Sequence, residues 1–314
     1  MRTVLITGGT GSLGSATVRA LARDYPGWHT VITGRDLART KERAAALAGE
    51  LGAPVTPLGL DLESLDAVRE VVRDWPAREL PPLHALVCNA GLMVVSGLRH
   101  TPDGYEVTFA VNHLAHFLLA HLLRPHLTAP ARIIFVSSDT HDPARPHNFP
   151  EPRYTGGHDL ARPVDGGGDS DPMKAGRRRY TTSKLCNVLT AYEMDRVFGA
   201  EGADAGQISV NAFDPGLMPG TGLARDYNLF FRFAWKYLLP ALTVLPRNFH
   251  TTRTSGAALA RLIADPELES VSGKYFQGRR QVRSSEESYD LEKAAELWRS
   301  SAELVGMPEL ADGR

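Results

Sequence analysis

Short apolar segments alternate with amphipathic stretches along the first 140 residues, and this alternation restricts the fold more than any other feature of the sequence. The amphipathic stretches have helical periodicity near 12–24, 36–51, 63–74 and 103–127. The apolar segments have the composition of buried strands; they are TVLIT, HTVITG, PVTPLGLDL, HALVCNAG and ARIIFVSS. Strands that alternate with helices form a parallel sheet covered on both faces. The pattern therefore predicts an α/β fold with a doubly wound parallel sheet as the middle of three layers (α/β/α).

The second half of the chain continues this alternation around two irregular segments. Residues 139–179 are dense in Pro, Gly, Asp and Arg without sustained periodicity, which predicts a long loop. Residues 218–250 form an irregular apolar segment. We also expect a helix that carries Tyr180 and ends near Phe198, the strands QISVNAFDPG and GKYFQG, the helix TSGAALARLIAD and a terminal helix. Because no repeat or linker appears, we predict a single domain over residues 1–314.

Charge and cysteine content limit the classes of partner. The chain has 35 Lys and Arg against 36 Asp and Glu, a formal net charge of −1, so no overall field attracts nucleic acid or anionic membrane. Cys88 and Cys186 lie far apart in apolar segments and suggest neither a disulfide framework nor a zinc site, and the histidines have no metal-binding spacing. The first residues enter a strand pattern without a cleavable apolar region. We therefore expect a cytoplasmic protein that binds a small molecule and no metal.

The junction between the first strand and helix reads TGGTGSLG and has the pattern of a dinucleotide-binding turn. Gly9, Gly11 and Gly14 fit GxGxxG, which allows a tight turn, close approach of backbone to a pyrophosphate and close packing of helix on strand. The N–H groups at the helix N-terminus would bind the anion. A glycine-rich turn that only connects two elements is the alternative. The residues expected to contact a cofactor here are Gly8, Thr10, Gly11, Ser12, Leu13 and Gly14.

Further cofactor contacts are expected where the next strands end. The second strand ends in VITGRD, with Gly34 where an acid would bind a free ribose 2′-hydroxyl, and with Arg35 next to it. An arginine suits a 2′-phosphate, so we favour NADP(H), although Arg35 could instead pair with Asp36 or cap the next helix. Asp61 after the third strand could accept from the adenine amino group. The expected contacts after these strands are Asp61, Leu62, Asn89, Ala90 and Gly91.

The segment YTTSK places Tyr180 and Lys184 one helical turn apart, on the same face. A tyrosine that exchanges a proton with a substrate oxygen needs a pKa below its usual ~10, and a neighbouring cation lowers it. A tyrosine and a lysine at this spacing can also be a packed stem with a solvated tip. The rest of the chain has to decide between the two interpretations.

Five motifs in order resemble those of the short-chain dehydrogenase/reductase family over nearly the whole chain. They are TGGTGSLG, NAG, Asn112 in VNHLAHFLL, Ser138 in IIFVSS, and YTTSK. The resemblance implies a Rossmann fold in which Tyr180 is the acid/base, Lys184 also holds the nicotinamide ribose, Ser138 donates to the substrate oxygen and Asn112 holds a water that links Lys184 to solvent. It also implies cofactor contacts by Pro215, Gly216 and Thr221. The glycine spacing is similar to the TGxxGxxG of longer members rather than to TGxxxGxG.

Within the family, the chain resembles the branch that contains retinol dehydrogenases and light-dependent protochlorophyllide oxidoreductase. The similar segments are VNHLAHFLLAHLL, YTTSKLCNVLTAYEMDR, DPGLMPGTGLAR and EKAAELWRSSAELVG. Cys186 falls where that reductase has a cysteine linked to its photochemistry, but SKLCN is similar to many dehydrogenases of the branch, which favours a small buried hydrophobe. NAG and VSS also depart from that reductase's NAA and VGS.

The two irregular segments are expected on the substrate side. Residues 139–179 could touch substrate through His141, His147, Tyr154, His158 and Arg177, or could be a mobile surface insertion. Residues 218–250 contain Phe230, Phe231, Phe233 and Trp235, and could be a substrate lid, a membrane-surface contact or a dimer contact; Arg232, Lys236 and Pro240 make a transmembrane helix unsuitable.

These features predict an oxidoreductase that acts on the carbonyl or alcohol of a bulky apolar substrate. A C=C reductase and a non-catalytic NADP-binding regulator are the alternatives, and the oligomeric state is left open between monomer and homodimer.

Overall fold

Eight strands form one sheet in the computed structural model, which describes residues 1–163, 169–200, 207–216, 218 and 251–307. The strand order is β3-β2-β1-β4-β5-β6-β7-β8, and all neighbouring pairs are parallel except β7 with β8. The order reverses between β1 and β4, which is the arrangement of a doubly wound sheet and confirms the predicted Rossmann-type fold. The strands are β1 (Arg2–Ile6), β2 (Trp28–Gly34), β3 (Val55–Gly59), β4 (Leu83–Cys88), β5 (Leu127–Val136), β6 (Ile208–Asp214), β7 (Lys274–Gln277) and β8 (Arg280–Val282).

Helices connect and cover the strands. Side-chain caps explain where several of them begin, since Asp36, Ser64 and Asp290 each accept a hydrogen bond from an N–H group of the first turn that follows. The helices are α1 (Ser12–Asp24), α2 (Leu37–Leu51), α3 (Leu65–Arg73), α4 (Val107–Phe109), α5 (Ala115–Leu123), α6 (Gly157–Ala161), α7 (Pro172–Ala200), α8 (Thr252–Ala264) and α9 (Leu291–Leu304).

The two faces of the sheet bury two separate apolar cores. Val4 and Ile6 of β1 belong to the core that includes residues of α1, α2 and α8, whereas Leu5 between them belongs to the core that includes residues of α3, α5, α7 and α9. Helices therefore cover both faces, and the three predicted layers are confirmed. The contact of α1 with α8 is close, because a Cβ on Gly256 would lie 2.6 Å from the carbonyl carbon of Ala16.

The prediction of one regular helix over 103–127 is wrong. The observed helical segment begins at Val107, continues through a π-helical turn at Ala110–Leu114, and becomes a regular α-helix again only in α5. A periodicity of 3.6 residues per turn does not detect the extra residue of a π turn, and such turns often occur at functional sites. Asn112 lies in the middle of this one.

The predicted loop at 139–179 is also corrected. It contains a 3₁₀ turn at Asp139–His141 and the short helix α6, and α7 already begins at Pro172. The side chain of Asp171 accepts hydrogen bonds from the N–H groups of Met173 at 3.1 Å and Lys174 at 3.3 Å, and a proline suits the first helical position. Tyr180 therefore lies more than two turns inside the helix.

Candidate active site

The residues predicted to do chemistry come from three elements that meet at the carboxyl edge of the sheet. Ser138 lies two residues after the end of β5, and Tyr180 and Lys184 lie on α7, which packs against β5 and β6. Asn112 lies in the π turn, which also contacts α7. This edge is where ligands bind in open α/β sheets.

Tyr180 and Lys184 lie on the same face of α7, and both are buried, with exposed fractions of 6 % and 4 %. The Nζ of Lys184 lies 5.6 Å from the centre of the Tyr180 ring. The same Nζ donates a hydrogen bond to the carbonyl oxygen of Val136 at 3.0 Å. The lysine tip is therefore not solvated, and the interpretation as a packed stem with a solvated tip is wrong.

Ser138 lies within hydrogen-bonding reach of Tyr180. The Ser138 side chain acts on the Tyr180 hydroxyl and lowers the pKa of the tyrosine, against burial. Its Oγ also accepts from the N–H of Thr140 at 3.3 Å, which holds the serine at the start of the 3₁₀ turn. The two hydroxyl groups can thus face one substrate oxygen.

Asn112 holds neighbouring segments together with its side chain. The Nδ2 donates to the carbonyl of Leu92 and to Oγ of Ser183, each at 3.0 Å, and Oδ1 accepts from the N–H of Leu92 at 2.9 Å. A Cβ on Gly91 would lie 3.4 Å from this Oδ1 and 3.5 Å from Nζ of Lys184, so a glycine there leaves room beside the lysine. The role of Asn112 in holding a water stays a prediction.

Burial changes the ionisation of both α7 residues. It lowers the pKa of Lys184 to about 8, and the charge of Asp214 works in the opposite direction. Burial, followed by the charges of Asp214 and Asp139, raises the pKa of Tyr180 above its ordinary value, against the Ser138 hydrogen bond. Burial thus works against the expected lowering of the Tyr180 pKa, because it desolvates the phenolate.

Asp214 is a residue of this site that the sequence analysis missed. It is the last residue of β6 and is 1 % exposed. Its Oδ1 accepts from the N–H of Gly216 at 2.8 Å, and its Oδ2 accepts from Nε2 of Gln277 at 3.1 Å. Burial, and then the charge of Asp139, raises the pKa of Asp214 to about 7. An acid at the carboxyl end of a buried strand, directly before Pro-Gly, was the available signal.

The glycine-rich turn has the geometry that the spacing predicts. The N–H of Gly11 donates to the carbonyl of Gly8 at 3.0 Å, which closes a tight turn. A Cβ on Gly9 would lie 2.6 Å from the side chain of Ile32, and a Cβ on Gly14 would lie 2.6 Å from the Cα of Gly9. Gly11 caps α1 without any side-chain hydrogen bond to the first turn. The backbone at the start of α1 is thus close to β1 and β2 and is available to an anion.

Asn89 and Ala90, predicted to bind a cofactor, tie the end of β4 to this turn. The Oγ1 of Thr7 accepts from the N–H groups of Asn89 and Ala90 at 2.8 and 2.9 Å, and Nδ2 of Asn89 donates to the carbonyl of Thr7 at 2.6 Å. Nε2 of His116 lies 2.8 Å from the same Oγ1, and its Nδ1 lies 3.1 Å from the carbonyl oxygen of Asn112. The buried His116, also missed from the sequence, therefore links the glycine turn to the π turn.

Arg35 has a different partner from those expected. Its Nη1 donates to Oε1 of Glu63 at 2.6 Å, and Arg99 donates to Oε2 of Glu63 at 3.2 Å. Asp36 instead caps α2 by accepting from the N–H of Arg39 at 3.1 Å. The Oδ1 of Asp61 accepts from the N–H of Glu63 at 3.0 Å and shapes the turn after β3. Arg35 and Arg99 therefore both bind the carboxylate of Glu63, close in sequence to Gly34 and Leu62.

The segment 139–163 makes other contacts than those expected for substrate. His141 is 1 % exposed; its Nδ1 lies 2.6 Å from the carbonyl oxygen of Ser138, and its Nε2 accepts from the N–H of Ser285 at 3.1 Å. Tyr154 bonds to Glu296 of α9, and His158 lies 2.8 Å from Glu303. These bonds join the segment to the C-terminal part of the described chain.

An aromatic contact from the same segment does reach Tyr180. The ring of Phe149, which the sequence analysis did not single out, lies 6.1 Å from the Tyr180 ring. Arg177 lies 4.8 Å above Phe149. Nε2 of His147 lies 3.1 Å from the carbonyl oxygen of Asp142. Of the five residues expected to touch substrate, Arg177 and His147 therefore both contact Phe149, the aromatic neighbour of Tyr180.

Two other parts of the prediction concern residues beyond β6. Pro215 accepts from Oγ of Ser255 at 2.6 Å, and Gly216, with φ of +74°, follows it. Thr221 and, apart from Met218, the whole of 218–250 lie outside the described residues.

Cys186 is fully buried, and burial raises its pKa above the ordinary value, which favours the buried hydrophobe over a proton donor.

Among the residues that the structure describes, no group of His, Cys, Asp or Glu could hold a metal ion. Within the same residues, no helix is long and apolar enough to cross a membrane.

Comparisons with known proteins agree with the motifs. Residues 2–149 match the family model described as short chain dehydrogenase. Protochlorophyllide reductase A from Oryza sativa subsp. japonica is 35% identical over 97% of this chain and 80% of its own, and the WW domain-containing oxidoreductase from Danio rerio is 34% identical over 97% and 68%. A short chain dehydrogenase from Burkholderia cenocepacia, solved in complex with NADP, has a TM-score of 0.61 at 23% identity over 87% of this chain and 94% of its own. The chain belongs to the short-chain dehydrogenase family, and it is an oxidoreductase.

Proposed function

We propose that the protein is an NADP(H)-dependent oxidoreductase that transfers a hydride between nicotinamide and the carbonyl or alcohol carbon of a bulky apolar substrate. The observation that carries this proposal is the position of Tyr180, with Ser138 acting on its hydroxyl and the buried Nζ of Lys184 beside its ring. This arrangement offers a proton donor, a hydrogen-bond donor and a cation to one substrate oxygen.

The residues at the β1 end fit a dinucleotide. Gly9 and Gly14 allow the backbone to pack without side chains, and the start of α1 has no side-chain cap that would compete with a pyrophosphate. Gly8, Thr10, Gly11, Ser12 and Leu13 would hold the pyrophosphate, and Asp61, Leu62, Asn89, Ala90 and Gly91 the adenosine and the nicotinamide ribose. Leu13 is buried in the core, so it would contribute its backbone.

Arg35 supports NADP(H) over NAD(H). Its side chain is 65% exposed and lies next to Gly34, where no acid can bind a free 2′-hydroxyl. Glu63 already provides Arg35 with an anionic partner, which a 2′-phosphate would replace or share. The solved relative in complex with NADP supports the same choice.

In the direction of reduction, NADPH held by these residues would supply a hydride to the substrate carbon. The hydroxyl of Tyr180 gives its proton to the substrate oxygen, Ser138 donates a hydrogen bond to that oxygen, and the product is an alcohol. The raised pKa of Tyr180 keeps it protonated, as a proton donor must be, until transfer occurs. Lys184, with a pKa of about 8, is largely an ammonium near neutral pH and stabilises the tyrosinate that forms. Asn112 would hold the water through which the proton is replaced.

A C=C reductase is the second candidate, and the relatives named protochlorophyllide reductase favour it. The same residues would serve, but the Tyr180 proton would go to carbon rather than oxygen. The ring of Phe149 beside Tyr180, and the buried Val94 and Val95 that pack against Gly176 one turn earlier on α7, suit a bulky apolar substrate in either case. A substrate lid at 218–250, a cytoplasmic location and a monomeric or homodimeric state are further parts of this proposal.

The test is NADPH oxidation with a panel of bulky apolar ketones, quinones and enones, in darkness and in light. Turnover that is lost in Tyr180→Phe supports the proposal, and product analysis separates reduction of C=O from reduction of C=C. Tight NADPH binding with no turnover on any substrate would instead favour a non-catalytic NADP-binding regulator.

A further inference from the structure

Asp214 is buried at the end of β6, and among the described residues no Lys, Arg or His side chain forms an ion pair with its carboxyl group. We propose that Asp214 is a positioning residue whose carboxylate sets the ionisation of Lys184 and, with it, the proton-donating state of Tyr180. The inference rests on the proposed function for its catalytic consequence, but the electrostatic coupling itself can be measured without turnover.

The sheet places Asp214 on the same side as the two α7 residues. In the register of β6 with β7, Asp214 pairs with Gln277 and Ala212 pairs with Tyr275. Tyr275 and Ala212 belong to the core that contains residues of α7, whereas Phe213 belongs to the core on the other face. Since side chains alternate along a strand, the carboxyl of Asp214 faces the α7 side.

The ends of β5 and β6 are held next to each other. The N–H of Ser137 donates to the carbonyl of Phe213 at 2.7 Å, so Ser138 and Asp139 follow directly beside Asp214. The backbone N–H of Asp139 also donates to the Asp214 carboxylate. Ser138, which the proposed function places at the substrate oxygen, and the buried acid therefore lie at the ends of two adjacent strands.

The hydrogen-bond donors to the carboxylate are neutral. They are the backbone N–H groups of Gly216 and Asp139 and the side-chain amide of Gln277. Neutral donors stabilise a buried carboxylate only in part, so its charge depends on longer-range attraction to a cation. Lys184 supplies that attraction, because the charge of Asp214 raises the pKa of Lys184 against burial.

Other ionisable groups face the carboxyl from the neighbouring elements. From the 3₁₀ turn after β5, the charge of Asp139 raises the pKa of Asp214, and from β7 the ring of Tyr275 carries a hydroxyl with no hydrogen-bond partner among the described residues. From α7, Tyr180 and Lys184 are both affected by the Asp214 charge, which raises the pKa of each. Since burial brings the pKa of Asp214 itself to about 7, this charge changes in the range where the enzyme would work.

The consequence has a defined sign. An ionised Asp214 favours the ammonium form of Lys184 and the phenol form of Tyr180, which is the pair needed to donate a proton. Removal of the charge lowers the pKa of both groups. The alkaline loss of reductase activity should follow deprotonation of Lys184, because its pKa of about 8 lies below that of Tyr180, and this loss then moves to lower pH.

The decisive experiment is a carbon-13 NMR titration of the lysine Cε groups, comparing the full chain with Asp214→Asn. The chain has six lysines, so the Lys184 signal can be assigned by its loss in Lys184→Met. We expect the midpoint of Lys184 to fall by about one pH unit in Asp214→Asn, the size of a single close charge interaction. An unchanged midpoint in a folded Asp214→Asn would overturn the proposal.

A second variant covers the case in which Asp214→Asn does not fold. Coupling between two titrating groups is reciprocal, so in Lys184→Met the midpoint of the Asp214 carboxyl, followed by carbon-13 NMR, should rise by a similar amount. An Asp214 midpoint that stays fixed or falls in Lys184→Met contradicts the coupling. Neither measurement uses turnover, so failure of the proposed function leaves both interpretable.

The kinetic readout is the pH profile of kcat/KM for NADPH-dependent reduction with a substrate from the panel. Its alkaline limb should move to lower pH in Asp214→Asn, whereas Asp74→Asn, an exposed carboxyl at the end of α3, should leave it in place. A merely structural Asp214 would change Tm and the size of kcat without moving this limb, and that result would count against the positioning role.

Discussion

Lys184 of α7 forms a hydrogen bond with Val136, the last residue of β5, two residues before Ser138. Nζ of Lys184 donates to the carbonyl oxygen of Val136 at 3.0 Å, and Nδ2 of Asn187 donates to the same oxygen at 3.1 Å. The carbonyl therefore keeps one donor if the lysine is replaced. A substitution at Lys184 consequently tests the charge with little disturbance of the backbone.

Lys184→Met should lower kcat/KM by about 10²-fold or more, because the tyrosinate loses its cation and proton transfer contributes that order of magnitude. The fold should survive, since removal of a buried charge leaves no uncompensated partner bonded to it. Steady-state kinetics and a melting curve measure the two effects. Lys174→Met, on the same helix but exposed and paired with Asp169, is the control and should keep full activity. Equal loss in both variants would contradict a role for the Lys184 charge.

The same variant gives a prediction for stability against pH. Burial lowers the pKa of Lys184 from 10.5 to about 8 in the folded protein. At low pH the buried lysine carries a charge that is less stable there than in the unfolded chain, and this lowers the free energy of unfolding. Relative to Lys184→Met, the wild type should therefore gain about 3 kcal/mol in free energy of unfolding as pH rises from about 8 to 10.5. Urea unfolding at several pH values measures the difference. A difference that does not depend on pH would show an unperturbed lysine.

Arg35 and Glu63 make the choice of cofactor testable. Arg35→Leu should weaken NADPH binding by roughly tenfold or more and leave NADH binding unchanged, because a charge-assisted bond to phosphate is lost. Glu63→Gln should have the opposite effect on NADPH, since it frees Arg35 and Arg99 from their carboxylate. Fluorescence titration with both cofactors measures the ratios. Parallel changes for NADPH and NADH in Arg35→Leu would remove the assignment of the 2′-phosphate to Arg35.

Gly14, next to the nucleotide turn, and Gly49, in α2, provide a matched pair of positions for glycine-to-alanine substitution. Gly14→Ala should destabilise the protein and abolish NADPH binding, because its Cβ would lie 2.6 Å from the Cα of Gly9 and 3.0 Å from the carbonyl oxygen of Gly8. Gly49→Ala places a methyl group in open space inside α2 and should stabilise the protein by about 0.5–1 kcal/mol. Thermal unfolding and NADPH titration of both variants give the comparison. Unchanged binding in Gly14→Ala would contradict the close backbone packing.

The sequence predicted those features that depend on residues close together along the chain. Strand and helix alternation, the glycine turn and the one-turn spacing of Tyr180 and Lys184 are all local, and each is present in the structure. Asp214 and Glu63 were not assigned, because their partners Gln277 and Arg35 lie 63 and 28 residues away and only the sheet brings them together.

Burial was the other property that local patterns did not supply. His141 was expected at the substrate, but contacts with Tyr275 and Ser285 bury it. The lowering of the Tyr180 pKa was expected from one neighbouring cation, yet desolvation by the surrounding core outweighs it. Both outcomes depend on the packing of elements distant in sequence, and neither has a signature in a single motif.

His116 predicts sensitivity to acid. Burial lowers the pKa of His116 from 6.5 to about 4, so its imidazole is neutral in the folded protein. Nδ1 then donates a hydrogen bond to the carbonyl of Asn112, and Nε2 accepts one from the hydroxyl of Thr7. A histidine with a depressed pKa contributes stability that is present above pH 6.5 and is lost as the pH falls through about 4. His116→Gln lacks this titration and should show a loss on acidification that is smaller by about 3 kcal/mol. Urea unfolding at pH 7 and pH 4.5, with His158→Gln at the surface as control, measures the difference. If His116→Gln and wild type lose the same stability between these pH values, the imidazole does not remain neutral between the π turn and the glycine turn, and the hydrogen-bond link through it is wrong.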